Sequence, residues 1–566
     1  MRRSHVIVAV LAGVLALSSA ASAKVLLVGT YHGIKGNYSS IQAAVDAASA
    51  GDWILVGPGD YKTTASRAPS DKPQTPAAVL ITTPNLRLRG MDRNTVIVDG
   101  TKPGSPQCSS AEADQNFGPS SSGGPLGLNG IMVYKANNVW VQNLTACNFL
   151  SGSGSAGNEI WWNGGDGQGK IQGYGYDGSY LNATSTFFKD ESTAMAYGIF
   201  SSDWSGGTWY QDYASNASDS NFYVGACQQV CDQTLDTVWS EYSSLGYSGT
   251  NAGGQLVIKN SQFDNNQDGF DTNSQNNDDW PSPQDGACPN NGTSPITHTH
   301  SCWVFMDNYV HDNNNPNVPG VGVASNGPVG TGMSVSGGRD DTVMNNRFVN
   351  NGAWGTIFVP YPDTETPPSD APSCAGGIAG PGNLCNYDDW GNALLNNTYT
   401  NNGFFHNDTN GDFAEITTTP GHPINCYQGN TDTSGTVTSS PSNLQSTNAN
   451  CGQTAVLPDA NPAFTNQVAC DSQFFASLVP GGSQPCTPGS NYPRRSQVIM
   501  HPLPTADLPT MPNPCSGVPA NPWCTASATT THKSSKKHKK HKKHKKHKKH
   551  GRKLSRPPRR AAGFTG

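Results

Sequence analysis

The chain has 566 residues, of which 13% are charged and 14 are cysteines, and its formal net charge is −6. Beyond the N-terminus it has no stretch of about 20 apolar residues, which excludes a helical membrane protein with several spans. The charge is uneven, since residues 532–566 hold 16 of the 35 Lys and Arg residues and none of the 41 acids. The separation of an acidic body from a basic end is informative about the charge of binding partners, and it does not indicate a fold.

The N-terminus predicts a secretory signal peptide over residues 1–23. It has an Arg-Arg pair, an apolar run over 6–17 and an Ala-Ser-Ala sequence before Lys24, where cleavage is expected. An uncleaved membrane anchor is disfavoured because the apolar run is shorter than the roughly 20 residues that span a bilayer. We therefore expect a secreted or surface-associated protein with no transmembrane segment after cleavage.

Residues 38–48 predict a short amphipathic helix. A Ser before Ile41 is a candidate N-cap, and one helical face is formed by Ile41, Ala44, Val45 and Ala48. A Gly-Asp turn leads from this helix into the apolar strand 53–56, which a Gly-Pro-Gly sequence ends. Such a helix suits the end of a solenoid, where it covers an open apolar coil and an unpaired strand edge.

Short strands and Asn-rich turns repeat through the middle of the chain. Four strands near residues 199, 223, 247 and 270 are 24, 24 and 23 residues apart. A second marker is an Asn or Asp that is followed three residues later by an apolar residue and then by a pair of Asn or Asp residues. It begins at Asn260, Asp307, Asn345 and Asn396. A period in the low twenties, with no helix long enough to cross over, predicts a β-solenoid.

The alternation of side chains along a strand predicts which of these residues face the core. Asn at the turns suits tight corners because it tolerates left-handed backbone conformations. We expect one set of side chains to stack inward, namely Ile199, Tyr223, Tyr247 and Phe270, and their neighbours to point outward, namely Phe200, Val224, Ser248 and Asp271.

The N-terminal segments resemble a known family. Residues 40–48, 51–56 and 58–61 look like the N-terminal cap of secreted right-handed parallel β-helix proteins of the pectate lyase-like superfamily. The runs at 85–100 and 130–144 resemble their first repeats, and the likeness covers about residues 38–430. The resemblance implies an all-β right-handed parallel β-helix with a short N-terminal capping helix. This fold hosts lyases, hydrolases, esterases, epimerases and adhesins, so it does not specify an activity.

An even number of cysteines in an exported chain predicts disulfides, with a metal cluster as the less favoured interpretation. Most cysteines lie close to another in sequence, so we expect bonds that close loops, with one of them bridging neighbouring coils. The predicted pairs are Cys227–Cys231, Cys288–Cys302, Cys374–Cys385, Cys470–Cys486, Cys515–Cys524 and, one coil apart, Cys426–Cys451.

Three insertions rich in Gly, Pro, Asn or Ser interrupt the repeat, at residues 151–178, 278–301 and 361–387. Such insertions are expected to leave the solenoid on one side and to form the walls of a cleft. The predicted division is therefore a β-helix over 24–430, a Cys- and Pro-rich cap and stalk over 431–526, and a disordered tail over 527–566.

The tail repeats Lys-Lys-His and cannot bury a core. One interpretation is that it anchors the protein to an anionic polymer or cell wall, and the other is that it is a solubilising segment attracted to its own acidic body. Its histidines could bind Zn²⁺ or Ni²⁺, but the surrounding lysines oppose cation binding.

The best candidate site is the run from Asn266 to Asp271. Asp268 and Asp271 can share a cation or act as acid and base on a sugar if both face one groove. The run resembles that of secreted polygalacturonases, which implies that Asp268 helps to activate water. It also resembles a run in a calcium-dependent pectate lyase family, which implies that Asp268 and Asp271 bind Ca²⁺. The structural alternative is that these acids only accept backbone hydrogen bonds at a turn, and it is favoured for Asp268.

A lyase also needs a base, and the chain has no Lys between Lys259 and Lys533. Arg339 and His311 are therefore the candidate bases, together with the less favoured set of Arg347, His298 and His300. The alternative is that His311 is a solvated turn residue and that Arg339 forms a surface ion pair with a neighbouring Asp.

Aromatic residues precede the acidic run and could stack on sugar rings if exposed. Trp204, Trp209 and Tyr210 follow the strand that contains Phe200, at the start of a turn, so they are the expected substrate-binding residues.

These features predict a monomeric secreted β-helix protein that binds or processes an extracellular polysaccharide, as a lyase or hydrolase acting on an acidic glycan. The competing hypothesis is a non-catalytic surface or matrix rod that is anchored by its basic tail.

Overall fold

The structure is a computed structural model. It describes residues 23–165, 169–227, 230–252, 254–272, 277, 279, 302–369, 372–417, 419–456, 461–472 and 486–524. The predicted signal peptide, except Ala23, and the whole of the Lys- and His-rich tail lie outside these residues.

The N-terminal cap forms as the sequence predicts. Helix α1, Ile41–Ala47, begins after Ser40, whose hydroxyl oxygen accepts a hydrogen bond from the Ala43 amide at 3.3 Å. Ile41, Ala44 and Val45 are buried against the first coils. The helix therefore covers the end of the apolar core, which would otherwise be open to water.

Three long sheets, each with parallel neighbours, run through the described residues. Successive strands of the chain pass from one sheet to the next, and each strand pairs with its equivalents one coil before and one coil after. Such crossovers are right-handed, so the chain is a right-handed parallel β-helix. The capping helix and this fold class are as the sequence predicts.

The strands of each sheet follow in chain order. Sheet 1 comprises Val25–Val28, Trp53–Val56, Arg87–Gly90, Val139–Gln142, Tyr176–Ser179, Gly207–Tyr210, Gln233–Asp236, Leu256–Lys259, Trp303–Met306, Thr342–Met344, Ala393–Leu395 and Cys426–Gln428. Sheet 2 comprises Gly59–Lys62, Val96–Asp99, Thr145–Cys147, Asn182–Thr184, Tyr213–Ser215, Trp239–Glu241, Gln262–Asp264, Tyr309–His311, Arg347–Val349, Thr398–Thr400 and Thr431–Asp432. Sheet 3 comprises Ala77–Ile81, Asn129–Tyr134, Asn158–Asn163, Tyr197–Ser202, Ser220–Val224, Leu245–Ser248, Asp271–Thr272, Thr331–Ser336, Trp354–Val359, Gly411–Glu415 and Ser439–Ser440, joined in its middle through bridges of Asp268.

Shorter elements lie outside the three sheets. The strands are Thr30–Tyr31, Ile34–Lys35, Ser120–Ser121, Gly124–Pro125, Gly173–Tyr174, Trp204–Ser205, Tyr361–Asp363, Ile378–Ala379 and Cys385–Tyr387. The further helical segments are Glu112–Asp114, Glu191–Thr193, Val323–Asn326, Leu444–Thr447 and Pro462–Ser472. No helix in the described part of the chain is long and apolar enough to cross a membrane.

The stacking inside the β-helix differs from the prediction at two adjacent residues: Val224, expected to point outward, belongs to the buried core, and Tyr223, expected inward, faces outward. Phe222, not Tyr223, is the buried neighbour of Ile199, and Tyr223 pairs with outward Phe200. The sequence spacing places Tyr223 inside because it assumes equal coils, whereas Ile199 and Phe222 are 23 residues apart and Phe222 and Tyr247 are 25 residues apart. A slip of one residue turns a side chain to the other face of a strand. The inward positions of Ile199, Tyr247 and Phe270 are as predicted.

Asparagine side chains connect successive coils at two corners. In one ladder, the Asn346 side-chain oxygen accepts from the Asn308 amide at 2.9 Å, while its own amide groups donate to Asn397 and to the Phe305 carbonyl. A second ladder joins Asn266, Asn313, Asn351 and Asn402 in the same way. The residue before each ladder position has a left-handed backbone, for example Asn345 with φ of 57°. These residues satisfy the buried backbone groups of the turns.

The predicted disulfides are present wherever both partners are described. The bonds are Cys227–Cys231, Cys374–Cys385, Cys426–Cys451, Cys470–Cys486 and Cys515–Cys524. Cys288, the predicted partner of Cys302, lies outside the described residues. A further bond, Cys108–Cys147, spans 39 residues and was missed because its partners are far apart in sequence.

The three predicted insertions differ in how they agree with the structure. Residues 361–387 leave the β-helix and contain a small antiparallel sheet. Residues 151–178 are only partly an insertion, because Asn158–Asn163 is a regular strand of sheet 3. Nearly all of 278–301 lies outside the described residues.

The segment 492–524, expected to be part of a stalk, packs along the side of the β-helix. Arg89 donates to the carbonyls of Pro514 and Ser516 at 3.0 and 2.8 Å, and Arg93 donates to that of Pro509 at 2.9 Å. Near its end, the Trp523 indole donates to the Ile34 carbonyl at 3.0 Å. The composition hides this contact, since the buried arginines that bind the segment lie about 420 residues away in the sequence.

We expect Asn346→Ala to lower the free energy of unfolding by about 2–3 kcal/mol, because it leaves the buried Asn308 amide and Phe305 carbonyl without these partners. Chemical denaturation followed by circular dichroism measures this change. The control is Asn345→Gly at the adjacent exposed position, where Gly accepts the positive φ and the loss should stay below about 0.5 kcal/mol. Equal losses in the two variants would contradict a stabilising ladder.

Candidate functional site

A cavity of about 260 Å³ lies over the outer face of sheet 3, beside Asp271. Its floor comes from six successive strands of that sheet, from Tyr197–Ser202 to Trp354–Val359, and its walls come from the segments 323–328 and 360–365 and from the helix Pro462–Ser472. The acidic and aromatic side chains that line it are Asp219, Asp271, Asp279, Glu365, Tyr197, Tyr223 and Tyr361.

Asp271 reaches this cavity because its strand pairs in register with Thr331–Ser336, opposite Ser334. One of its carboxylate oxygens, Oδ1, accepts hydrogen bonds from the hydroxyls of Ser334 and Ser336 at 2.6 and 3.0 Å. Burial raises the pKa of Asp271 to about 6, and the two serine hydroxyls oppose part of that rise. Asp271 therefore titrates near neutrality.

Asp219 is a second carboxyl in the cavity, and the sequence pattern does not predict it. It stands immediately before the strand Ser220–Val224, and the hydrogen bonds of its backbone to Ala196 and Leu245 hold it between two coils. The Tyr197 hydroxyl lies 3.4 Å from its Oδ2 atom. Burial raises the pKa of Asp219 to about 7, and the charge of Asp271 adds to the rise. Nothing local in the sequence marks Asp219, because its partners belong to other coils.

Asp268 does not share the cavity with Asp271. It is fully buried, and its carboxyl accepts from the Phe270 amide at 3.3 Å. The Ser334 hydroxyl lies 2.8 Å from its Oδ2 atom and therefore stands between the two acids. Burial, together with the charge of Asp271, raises the pKa of Asp268 well above its usual value.

The pair Asp268 and Asp271 does not fit the predicted Ca²⁺ site. Calcium takes six to eight oxygen ligands at about 2.3–2.6 Å, which requires open carboxylate oxygens around a common point. Here Asp268 is closed off from solvent and a hydroxyl group occupies the space between the two carboxyls.

The structure does not bring Arg339, His311 or Arg347 to this cavity, and His298 and His300 lie outside the described residues. Arg339 is buried, lies over the Trp390 ring at 3.6 Å and donates to the Asp388 carbonyl. It is not the exposed ion pair that the sequence suggests. His311 is on sheet 2, where its Nδ1 atom is 2.7 Å from Asp312. Neither residue lines the cavity.

The expected exposure of Trp204 and Trp209 is wrong. Both side chains are fully buried and belong to the interior core, since their strands turn these rings inward. Tyr210 is 39% exposed but lies on sheet 1, not on the sheet of Asp271. These three residues therefore do not form one surface with the cavity.

A different aromatic stack leads along the outer face of sheet 3 to the cavity. The rings of Trp161 and Phe200 are 5.2 Å apart and those of Phe200 and Tyr223 are 4.7 Å apart, both nearly parallel. Tyr197 lies 5.0 Å from Tyr223 at the same end. The alternation of side chains along the strands predicts this stack only if Tyr223 is placed in the correct register.

Comparisons with known proteins find no matching protein-family model and no matching curated protein. Some solved structures are similar to part of this chain at low identity. The A-module of a mannuronan C-5 epimerase of Azotobacter vinelandii has 14% identity and a TM-score of 0.40, over 69% of this chain and 88% of that chain. An alginate lyase of Paenibacillus has 10% identity and a TM-score of 0.32, over 74% and 97%. A pectin methylesterase of Erwinia chrysanthemi has 14% identity and a TM-score of 0.29, over 51% and 79%.

These likenesses concern the fold alone.

Proposed function

We propose that this protein is a polysaccharide-processing enzyme, specifically a glycoside hydrolase, with Asp219 as general acid and Asp271 as general base. The observation that carries the proposal is the pair of carboxyls in one cavity, whose pKa values are raised to about 7 and about 6. Hydrolysis of a glycosidic bond needs one protonated and one ionised carboxyl on its two sides. The different environments of the two residues supply that combination.

In this reaction Asp219 donates a proton to the departing glycosidic oxygen, while Asp271 takes a proton from the water that attacks the sugar. The Tyr197 hydroxyl next to Asp219 helps to orient its carboxyl. Tyr223 is stacked on Phe200 and only partly buried, so its ring is suited to contact the apolar face of a sugar.

The cavity favours hydrolysis over elimination. Removing the proton next to a uronate carboxylate needs a base and a cation that neutralises the substrate charge. Among the described residues that line the cavity, none is Lys, Arg or His. Arg339 and His311, the bases that the sequence suggests, lie elsewhere.

The same charges favour a glycan without carboxylates. Four of the lining residues are acidic, namely Asp219, Asp271, Asp279 and Glu365. An anionic sugar in this cavity would lie beside the ionised Asp271, and none of the described lining residues is a Lys, Arg or His that could attract it. We therefore propose a neutral or cationic polysaccharide rather than the acidic glycan expected from the sequence.

The protein has six disulfides within the described residues, which is typical of an oxidising compartment. Together with the predicted signal peptide, they support an extracellular polysaccharide as substrate.

Replacing either carboxyl should abolish most activity. We expect Asp219→Asn and Asp271→Asn each to lower kcat/KM by about 10²–10⁴-fold, measured as new reducing ends from a panel of neutral, cationic and anionic polysaccharides. The control is Asp236→Asn on sheet 1, outside the cavity, which should retain activity. Products that absorb in the ultraviolet would instead indicate elimination. No product from any polymer would favour the non-catalytic rod.

The pH dependence of kcat/KM should be bell-shaped. Asp271 must be ionised, so activity falls as the pH drops below about 6, and Asp219 must be protonated, so activity falls as the pH rises above about 7. A pH–rate profile between pH 4 and 9 measures both limbs. A profile without an alkaline limb would remove Asp219 from the role of acid.

We also propose that residues 527–566 bind an anionic polymer. Removing them should lower the salt concentration that elutes the protein from an immobilised polyanion, because fewer counterions are released on binding. Hydrolysis of a soluble substrate should not change. A same-length tail with Ser in place of every Lys and Arg is the control for length, and elution at an unchanged salt concentration after removal of the tail would refute this role.

A further inference from the structure

The Ser334 hydroxyl is in contact with two carboxyl groups at once. Its oxygen is 2.8 Å from Asp268 Oδ2 and 2.6 Å from Asp271 Oδ1. A serine hydroxyl has a single hydrogen to donate. If both acids were ionised, one of these short contacts would be between two oxygens with no hydrogen between them. The geometry therefore requires a second proton, carried by one of the carboxyls.

The contacts of each acid indicate where that proton lies. Asp271 Oδ1 accepts from Ser336 as well as Ser334, and two hydroxyl donors favour the ionised form of this cavity residue. Asp268 is fully buried, and its Oδ1 atom already accepts from the Phe270 amide. Its Oδ2 atom, which faces Ser334, is therefore the position at which a proton makes a new hydrogen bond.

The charged groups around Asp268 support the same assignment. Asp271 and, from the helix Pro462–Ser472, Asp471 are the acids that act on it. Asp471 has Arg494 Nη1 at 3.7 Å, and Arg495 Nη2 is 3.5 Å from the side chain of the neighbouring Gln267. On the cavity side, the other titratable groups near Asp271 are the carboxyls of Asp219, Asp279 and Glu365. After burial, the charge of Asp271 is the main influence that raises the pKa of Asp268, and it opposes ionisation of that carboxyl.

We propose that Asp268 is a permanently protonated positioning residue that donates to Ser334, so that the Ser334 hydrogen is directed to Asp271 and holds that cavity carboxyl ionised. The inference rests on the proposed function, since Asp271 is the base of that reaction. Asp268 itself contacts no substrate. This role differs from that of a metal ligand and from that of a residue that activates water, and it adds to the backbone hydrogen bond that the sequence analysis favours for Asp268.

Two substitutions separate this arrangement from its alternatives. Asp268→Asn retains an N–H donor toward Ser334 and the same shape, so the acid limb of the pH–rate profile should move by less than about 0.3 units. Ser334→Ala removes the hydrogen bond to Asp271, so the acid limb should rise by about one unit, which is about a tenfold loss of activity at low pH. Ser192→Ala, at an exposed serine that donates to Asp190 at 2.8 Å, is the matched control and should not move it.

An ionised Asp268 would give a different result. Removing its negative charge in Asp268→Asn would then make Asp271 easier to ionise, and the acid limb would fall to lower pH by about one unit. That outcome would overturn the inference. An unchanged acid limb in Ser334→Ala would overturn it as well.

A measurement on the unmodified protein does not depend on activity or on the folding of a variant. With ¹³C-labelled Asp carboxyls, infrared spectra at pH 7 should contain the carbonyl band of a protonated carboxyl that is missing from Asp268→Asn. Identical spectra would refute the proton on Asp268 even if the enzyme were active. If the band is present but the protein hydrolyses no polysaccharide, the proton on Asp268 is supported and only the proposed function is contradicted.

Discussion

The hydrogen bonds between successive coils hold every other feature of this molecule in place. Each strand pairs with the equivalent strand of the next coil, and asparagine ladders such as that of Asn308, Asn346 and Asn397 connect the corners. Because side chains alternate along a strand, the register of these bonds decides whether a residue faces the core or the cavity. Asp271 belongs to the cavity only because its strand pairs with Thr331–Ser336 opposite Ser334.

The same stacking concentrates acids on one outer face. Asp219 and Asp271 come from different coils, and the segments around 323–328 and 360–365 enclose the space above them. Enclosure removes water from carboxyls that have hydroxyl rather than cationic partners, so their pKa values rise. The arrangement costs stability, and such unfavourable clusters are typical of functional sites.

The proposed roles of Asp219, Asp268 and Asp271 follow from small differences between the surroundings of their carboxyls. Asp271 has two serine donors and retains its charge more readily, Asp219 has a weaker tyrosine contact, and Asp268 is closed off beneath them. Three carboxyls in one region thus differ in the ease with which they ionise. The absence of Lys, Arg and His among the described lining residues makes neutral or cationic sugars better candidates than uronates.

Local features of the sequence determined the coil, the capping helix after Ser40, the left-handed corners and the close disulfides, since each depends on residues near one another in the chain. The outward position of Asp271 also followed from alternation. The tertiary structure decided the rest: the burial of Trp204 and Trp209, the separation of Arg339 and His311 from the acids, and the meeting of Asp219 with Asp271. These depend on which coils pair and on unequal coil lengths, and a one-residue difference moves a side chain across the sheet.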